Sequence, residues 1–101
     1  MTKLLRITLE QQENKMSDYA ININQIASIE PLSAMQTDVE HGSVVLFNLC
    51  GANPIAFPIE CGDHLTETYD FICDAICSLS SSHELSASIL IDINGKASVL
   101  V

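Results

Sequence analysis

The sequence predicts a small α+β domain. A mostly antiparallel sheet of about six or seven short strands carries one helix, over about residues 63–79, packed on it, and the chain closes with a β-hairpin over 87–101. Three observations support this. Between Ile59 and Leu79 apolar residues recur at spacings of three and four, and no other stretch sustains that period. Elsewhere the chain alternates, or runs apolar, in segments of strand length. Asn94-Gly95 stands between two aliphatic runs, and that dipeptide suits a tight hairpin because both turn positions take positive φ. At 101 residues the chain makes one domain, 1–101, which buries roughly two-thirds of its unfolded surface.

Taken in order, Lys3 to Glu10 alternates, with Lys3, Leu5, Ile7 and Leu9 on one face and Leu4, Arg6, Thr8 and Glu10 on the other. Gln11 to Asp18 is polar and reads as a loop. Tyr19 to Asn24 alternates again and pairs most simply with the first strand as a hairpin. After a bend at Asn24-Gln25, Ile26 to Leu32 reads as a strand that Pro31 confines to an edge. Residues 33–42 read as a loop with strand character near Thr37 to Glu40. Ser43 to Leu49 is almost continuously apolar, as in a central strand covered on both faces. Beyond the turn at Cys50 to Asn53, Ile55, Phe57 and Ile59 share a face, while Pro54 and Pro58 place this segment at an edge.

In the helix, Asp63 is the expected N-cap and Leu65, Tyr69, Ile72, Cys73, Ile76 and Leu79 form the buried stripe. Asp63, Glu67, Asp70 and Asp74 follow the same spacing on another face. Like charges so spaced repel, and Asp74 lies near the negative end of the helix dipole. Carboxylates this poorly placed for helix stability mark a candidate surface for a basic protein partner. Ser78 to His83 reads as a polar connector. In the final hairpin a two-residue turn sets Ile89 opposite Leu100, Ile91 opposite Ser98 and Leu90 opposite Val99, so both faces carry large aliphatics. Such a hairpin wants cover on both sides. The expectation is a homo-oligomer, in its simplest form a dimer, joined through Ile89, Ile91, Val99 and Val101.

Composition narrows the function classes. Four basic against thirteen acidic residues give a formal charge of −9, and Lys3, Arg6, Lys15 and Lys96 are scattered, which disfavours nucleic acid and anionic membranes. No run approaches the ~20 apolar residues of a membrane span, and the N-terminus lacks the apolar core and cleavage site of a secretory signal. A cytoplasmic, reducing compartment follows as the expectation, with Cys50, Cys61, Cys73 and Cys77 as free thiols.

The sharpest chemical alternative is zinc, since Cys61-x-x-His64 and Cys73-x-x-x-Cys77 offer four nitrogen and sulfur ligands. Against it, Cys73 falls on the core stripe, where a free cysteine serves as a small apolar residue, and the spacing matches no standard finger or ribbon. No Cys-x-x-Cys, phosphate loop, calcium loop or nucleophile elbow occurs. The residues therefore point to a non-catalytic chain without a cofactor, acting as a protein-interaction or self-assembling module. The alternative is a ligand- or zinc-binding domain with its site between helix and sheet.

Residues 1–79 resemble the small FlbD-type flagellum-associated proteins. The opening MTKLLRI resembles their basic-apolar first strand, and YAININQIASIE (Tyr19 to Glu30) their strand–Asn–turn–Ile-x-x-Ile-Glu segment. Ser43 to Gly51 with Ile55 to Glu60 resembles their Gly-turn hairpin that runs into a final helix. The resemblance implies an antiparallel sheet with one helix and supplies no catalytic residues to carry over. Residues 33–42 are longer than that family's loop, and Ser80 to Val101 lies beyond its usual end.

Overall fold

The computed structural model describes residues 2–11, 13, 15–33, 43–59 and 64–100. Among them the elements run β1 (Leu4–Glu10), β2 (Met16–Asn22), β3 (Ile26–Leu32), β4 (Ser43–Leu49), β5 (Ile55–Ile59), α1 (Leu65–Ser81), β6 (Ser86–Ile91) and β7 (Ala97–Val99). The α+β class, the single helix and the C-terminal hairpin are as the sequence predicts. The strands are shared between two sheets, one ordered β2-β1-β6-β7 and the other β3-β4-β5. All pairs are antiparallel except β1–β6, which is parallel and uses α1 within its crossover.

The chain changes sheets at a 3₁₀ turn over Ile23–Gln25, where the Asn22 side chain accepts a hydrogen bond from the Asn24 N–H at 2.9 Å. Alternation then decides what is buried. Leu5, Ile7, Leu9 and Ile21 of the first sheet meet Val45, Phe47, Phe57 and Ile59 of the second, with Leu65 and Ile72 of α1 and Ile89 and Ile91 of β6 completing one cluster. Tyr19 and Phe47 each meet Phe57 edge-to-face, at centroid distances of 5.0 and 5.3 Å, so β2 and β5 are joined across the sheets by aromatic contacts. β4 is central, as its apolar run requires, and β3 and β5, which carry Pro31 and Pro58, are edges.

Three expectations are corrected. β2 begins at Met16, three residues early, because Gln11 N–H bonds the Lys15 carbonyl at 2.7 Å and closes a short connection in place of a long loop. The helix continues to Ser81, taking in part of the expected connector. Lys3 explains its end: the ammonium donates to the carbonyls of Leu79 (2.7 Å), Ser80 (3.4 Å) and Ser82 (2.6 Å), satisfying acceptors that a helix C-terminus leaves open. At the other end His64 takes the N-cap position without a side-chain cap bond. Asp63, the expected N-cap, lies outside the described residues, as does the strand character expected near Thr37 to Glu40.

The third correction is the hairpin register, which is shifted by one residue. Ile89 faces Val99, Leu90 faces Ser98 and Ile91 faces Ala97. The loop has three residues, with a turn closed by Gly95 N–H to the Asp92 carbonyl at 2.9 Å and Gly95 at φ 85°. That is the turn-plus-bulge loop, which needs positive φ only at the glycine. Asp92 selects it, because its Oδ1 accepts from both Asn94 N–H and Lys96 N–H at 2.9 Å. Among the described residues no helix is long and apolar enough to cross a membrane.

Candidate interaction site at the β7 edge

Among the described residues the two sheets end in four edge strands, β2 and β7 in one and β3 and β5 in the other. An edge strand presents unpaired main-chain groups, and proteins blunt such edges with proline, bulges or charge. β3 has Pro31, Glu30 and a register shift between Ile26 and Ser28. β5 has Pro58, and β2 has Asp18. β7, with the sequence Ala-Ser-Val, has none of these.

Its outward groups follow from the ladder. Asp92 N–H bonds the Lys96 carbonyl at 2.9 Å and Leu100 N–H bonds the Ser88 carbonyl at 3.0 Å, so the even-numbered residues of this hairpin are the hydrogen-bonded pairs. The N–H and C=O of Ala97 and Val99 therefore point away from β6, toward the open edge. Beside this edge, α1 and β6 enclose a cleft of about 500 Å³, lined by Phe71, Asp74, Ala75, Ser78, Leu79 and Ser82 on the helix side, by Glu84 and Ser86 to Ile89 on the strand side, and by Val99. Two bonds brace it. Thr68, buried, donates its hydroxyl to the Gly95 carbonyl and ties the hairpin loop to α1. Lys3 ties the start of the first sheet to the end of α1.

The expected site residues divide sharply. Ile89 and Ile91, expected at a self-association surface, are 1% and 0% exposed and belong to the chain's own core, because β6 pairs with β1 so that they lie beside the buried Ile7 and Leu9. That expectation is corrected for both: no second copy reaches them without unfolding. Val99 is 67% exposed and stands at the cleft, with Leu100 exposed after it, and Val101 lies outside the described residues. Glu67, Asp70 and Asp74 are exposed on α1, and Asp74 alone of these borders the cleft. Asp63 is outside the described residues.

Of the expected zinc set, Cys61 lies outside the described residues, His64 and Cys73 are half-buried and Cys77 is exposed. Among the described residues no three His, Cys, Asp or Glu side chains converge. His64 Nδ1 lies 3.4 Å from a Glu67 carboxylate oxygen without making a hydrogen bond. Burial pushes the Cys73 thiol above its ordinary range, outweighing the hydrogen bond with Tyr69 that lowers it, and Asp70 raises it further. That same bond to Cys73 is the main cause raising the Tyr69 hydroxyl. A thiol shifted this way stays protonated near neutrality, the reverse of an activated nucleophile.

Sequence reasoning missed the cleft's helix wall. The signal was there: Phe71, Ala75, Ser78 and Ser82 recur at spacings of four, three and four, a second row beside the buried stripe that is mostly too small to fill a core. Comparison with protein-family models, curated proteins and solved structures gave no match.

Proposed function

We propose that this protein is a non-catalytic interaction module that takes an extended segment of a partner polypeptide at the open edge of β7. Strand addition supplies main-chain hydrogen bonds to Ala97 and Val99, and the adjoining cleft receives alternate side chains, the division of labour by which sheet edges recognise peptides. One observation carries this reading: of the four edge strands among the described residues, the one without proline, bulge or charge is also the one beside an apolar-floored cleft.

The test is selection of a displayed random-peptide library on the purified chain, on Val99→Pro and on Val99→Thr. Proline removes the outward donor without touching the β6–β7 bonds, whereas threonine keeps both donor and branched shape. Peptides enriched on the parent and on Val99→Thr but lost on Val99→Pro support the reading. No enrichment on the parent, or ligands indifferent to proline, overturns it.

The cleft volume favours a second reading, a ligand-binding domain, since about 500 Å³ lies within the size of small-molecule sites. An aliphatic small molecule held there leaves amide exchange at Ala97 and Val99 unchanged, which separates the two readings.

A further inference from the structure

We infer that the segment this edge accepts is cationic, an aliphatic residue flanked by two Lys or Arg residues in the pattern basic-x-aliphatic-x-basic. The inference rests on the docking reading above and adds the chemistry of the occupant. The rim of the cleft carries two carboxylates, Asp74 on α1 and Glu84 in the connector to β6, and among the described residues no basic side chain lines it. The cation at its helix end, Lys3, donates to the carbonyls of Leu79, Ser80 and Ser82, where the negative end of the α1 dipole offsets part of its charge, and the two carboxylates still outnumber it. Lys96 pairs with Asp92 at the base of the hairpin loop and is not among the residues that line the cleft. The chain as a whole carries −9 formally, so its field also draws cations.

Spacing supplies the pattern. From Asp74 to the helix end near Ser82 is eight residues, roughly 12 Å at the helical rise, with Glu84 just beyond. An extended chain covers about 13 Å in four residues, and residues i, i+2 and i+4 share one face. A strand laid on β7 with its middle side chain over Ala75, Leu79 and Val99 thus brings its two flanking side chains toward the two carboxylates. The floor takes the aliphatic group and the rim takes the charges.

The probe is a peptide of about eight residues, an ordinary strand length, with Lys-Thr-Leu-Thr-Lys at its centre. Its counterparts carry Glu in place of both Lys, or N-methyl groups on alternate residues. Amide NMR titration of the full chain reads binding and place together. The expected result is shifts confined to Asp74–Leu100, with Asp74, Glu84 and Val99 among them. Affinity should fall about five- to tenfold for the Glu peptide, for the Asp74→Asn, Glu84→Gln double variant and in high salt, and be lost on N-methylation. Equal binding of Lys and Glu peptides at this edge overturns the cationic inference and leaves the docking reading standing. Binding of neither, while the library still yields proline-sensitive ligands, does the same. Shifts spread over Glu67 and Asp70 and indifferent to the double variant reduce the effect to bulk attraction and also overturn it. No ligand from either experiment removes both readings together.

Discussion

The β5 and β7 edges are built from similar material and treated in opposite ways. Both are short, both close an antiparallel pair, and both place aliphatic or aromatic side chains toward the common core. β5 carries Pro58, with Pro54 just before it, and its partner β4 is otherwise enclosed by β3. β7 has neither proline nor charge, and Val99 at its end lines a cleft. An exposed edge is a hazard for aggregation, so an unguarded one next to a shaped apolar surface is the feature to test for function.

The largest expected effect separates the closed and open sides of the hairpin. Ile91→Ala should cost about 2–5 kcal/mol in urea unfolding, because a fully enclosed side chain leaves a cavity, whereas Val99→Ala should cost less than about 0.5 kcal/mol. Comparable losses would mean that Val99 is core and that the edge is not free. Thr68→Val comes next. It keeps the shape but strips the buried Gly95 carbonyl of its donor, and about 1–3 kcal/mol should be lost in thermal melting. The hairpin loop should loosen from α1 and peptide affinity fall with it. Lys3→Met removes the helix-end contacts while keeping an apolar stem. A loss of about 1 kcal/mol is expected, with amide exchange rising first at the last turn of α1. Smallest in stability but most pointed is Pro58→Thr. Melting should move little, about 0.5 kcal/mol or less, yet restoring an edge donor on β5 should produce concentration-dependent association in light scattering. A variant that associates no more than the parent would show that proline is not what guards β5.

Much of this architecture was legible. The placing of Lys3 on the same face as Leu5, Ile7 and Leu9 pointed its long side chain inward, and the structure uses that position to end the helix. Edge and central strands followed from Pro31, Pro58 and the unbroken run Ser43 to Leu49. The division into two sheets was not legible, since the bend at Asn24-Gln25 can fold a strand back or send it to another layer with the same local chemistry. The hairpin register failed for a definable reason. Asn94-Gly95 fits two loop lengths, and the carboxylate of Asp92 decides between them by accepting from two amides at once. One residue of slip exchanges every side chain between faces, so that choice determines whether Val99 accompanies Leu90 or Ile89. Of the candidate site, the acidic row was visible in sequence, but only Asp74 reaches the cleft. Its other carboxylate, Glu84, comes from a connector with no periodicity to announce it.

Amide hydrogen exchange of the dilute, unliganded chain tests the central claim most directly. Ser98 and Leu100, which face β6, should be protected, while Ala97 and Val99, facing outward, should exchange close to the rate of free amides and slow when the Lys peptide is added. Protection of Ala97 and Val99 equal to that of Ser98, unchanged on dilution and on addition of peptide, would show that the edge is already closed and would contradict the account.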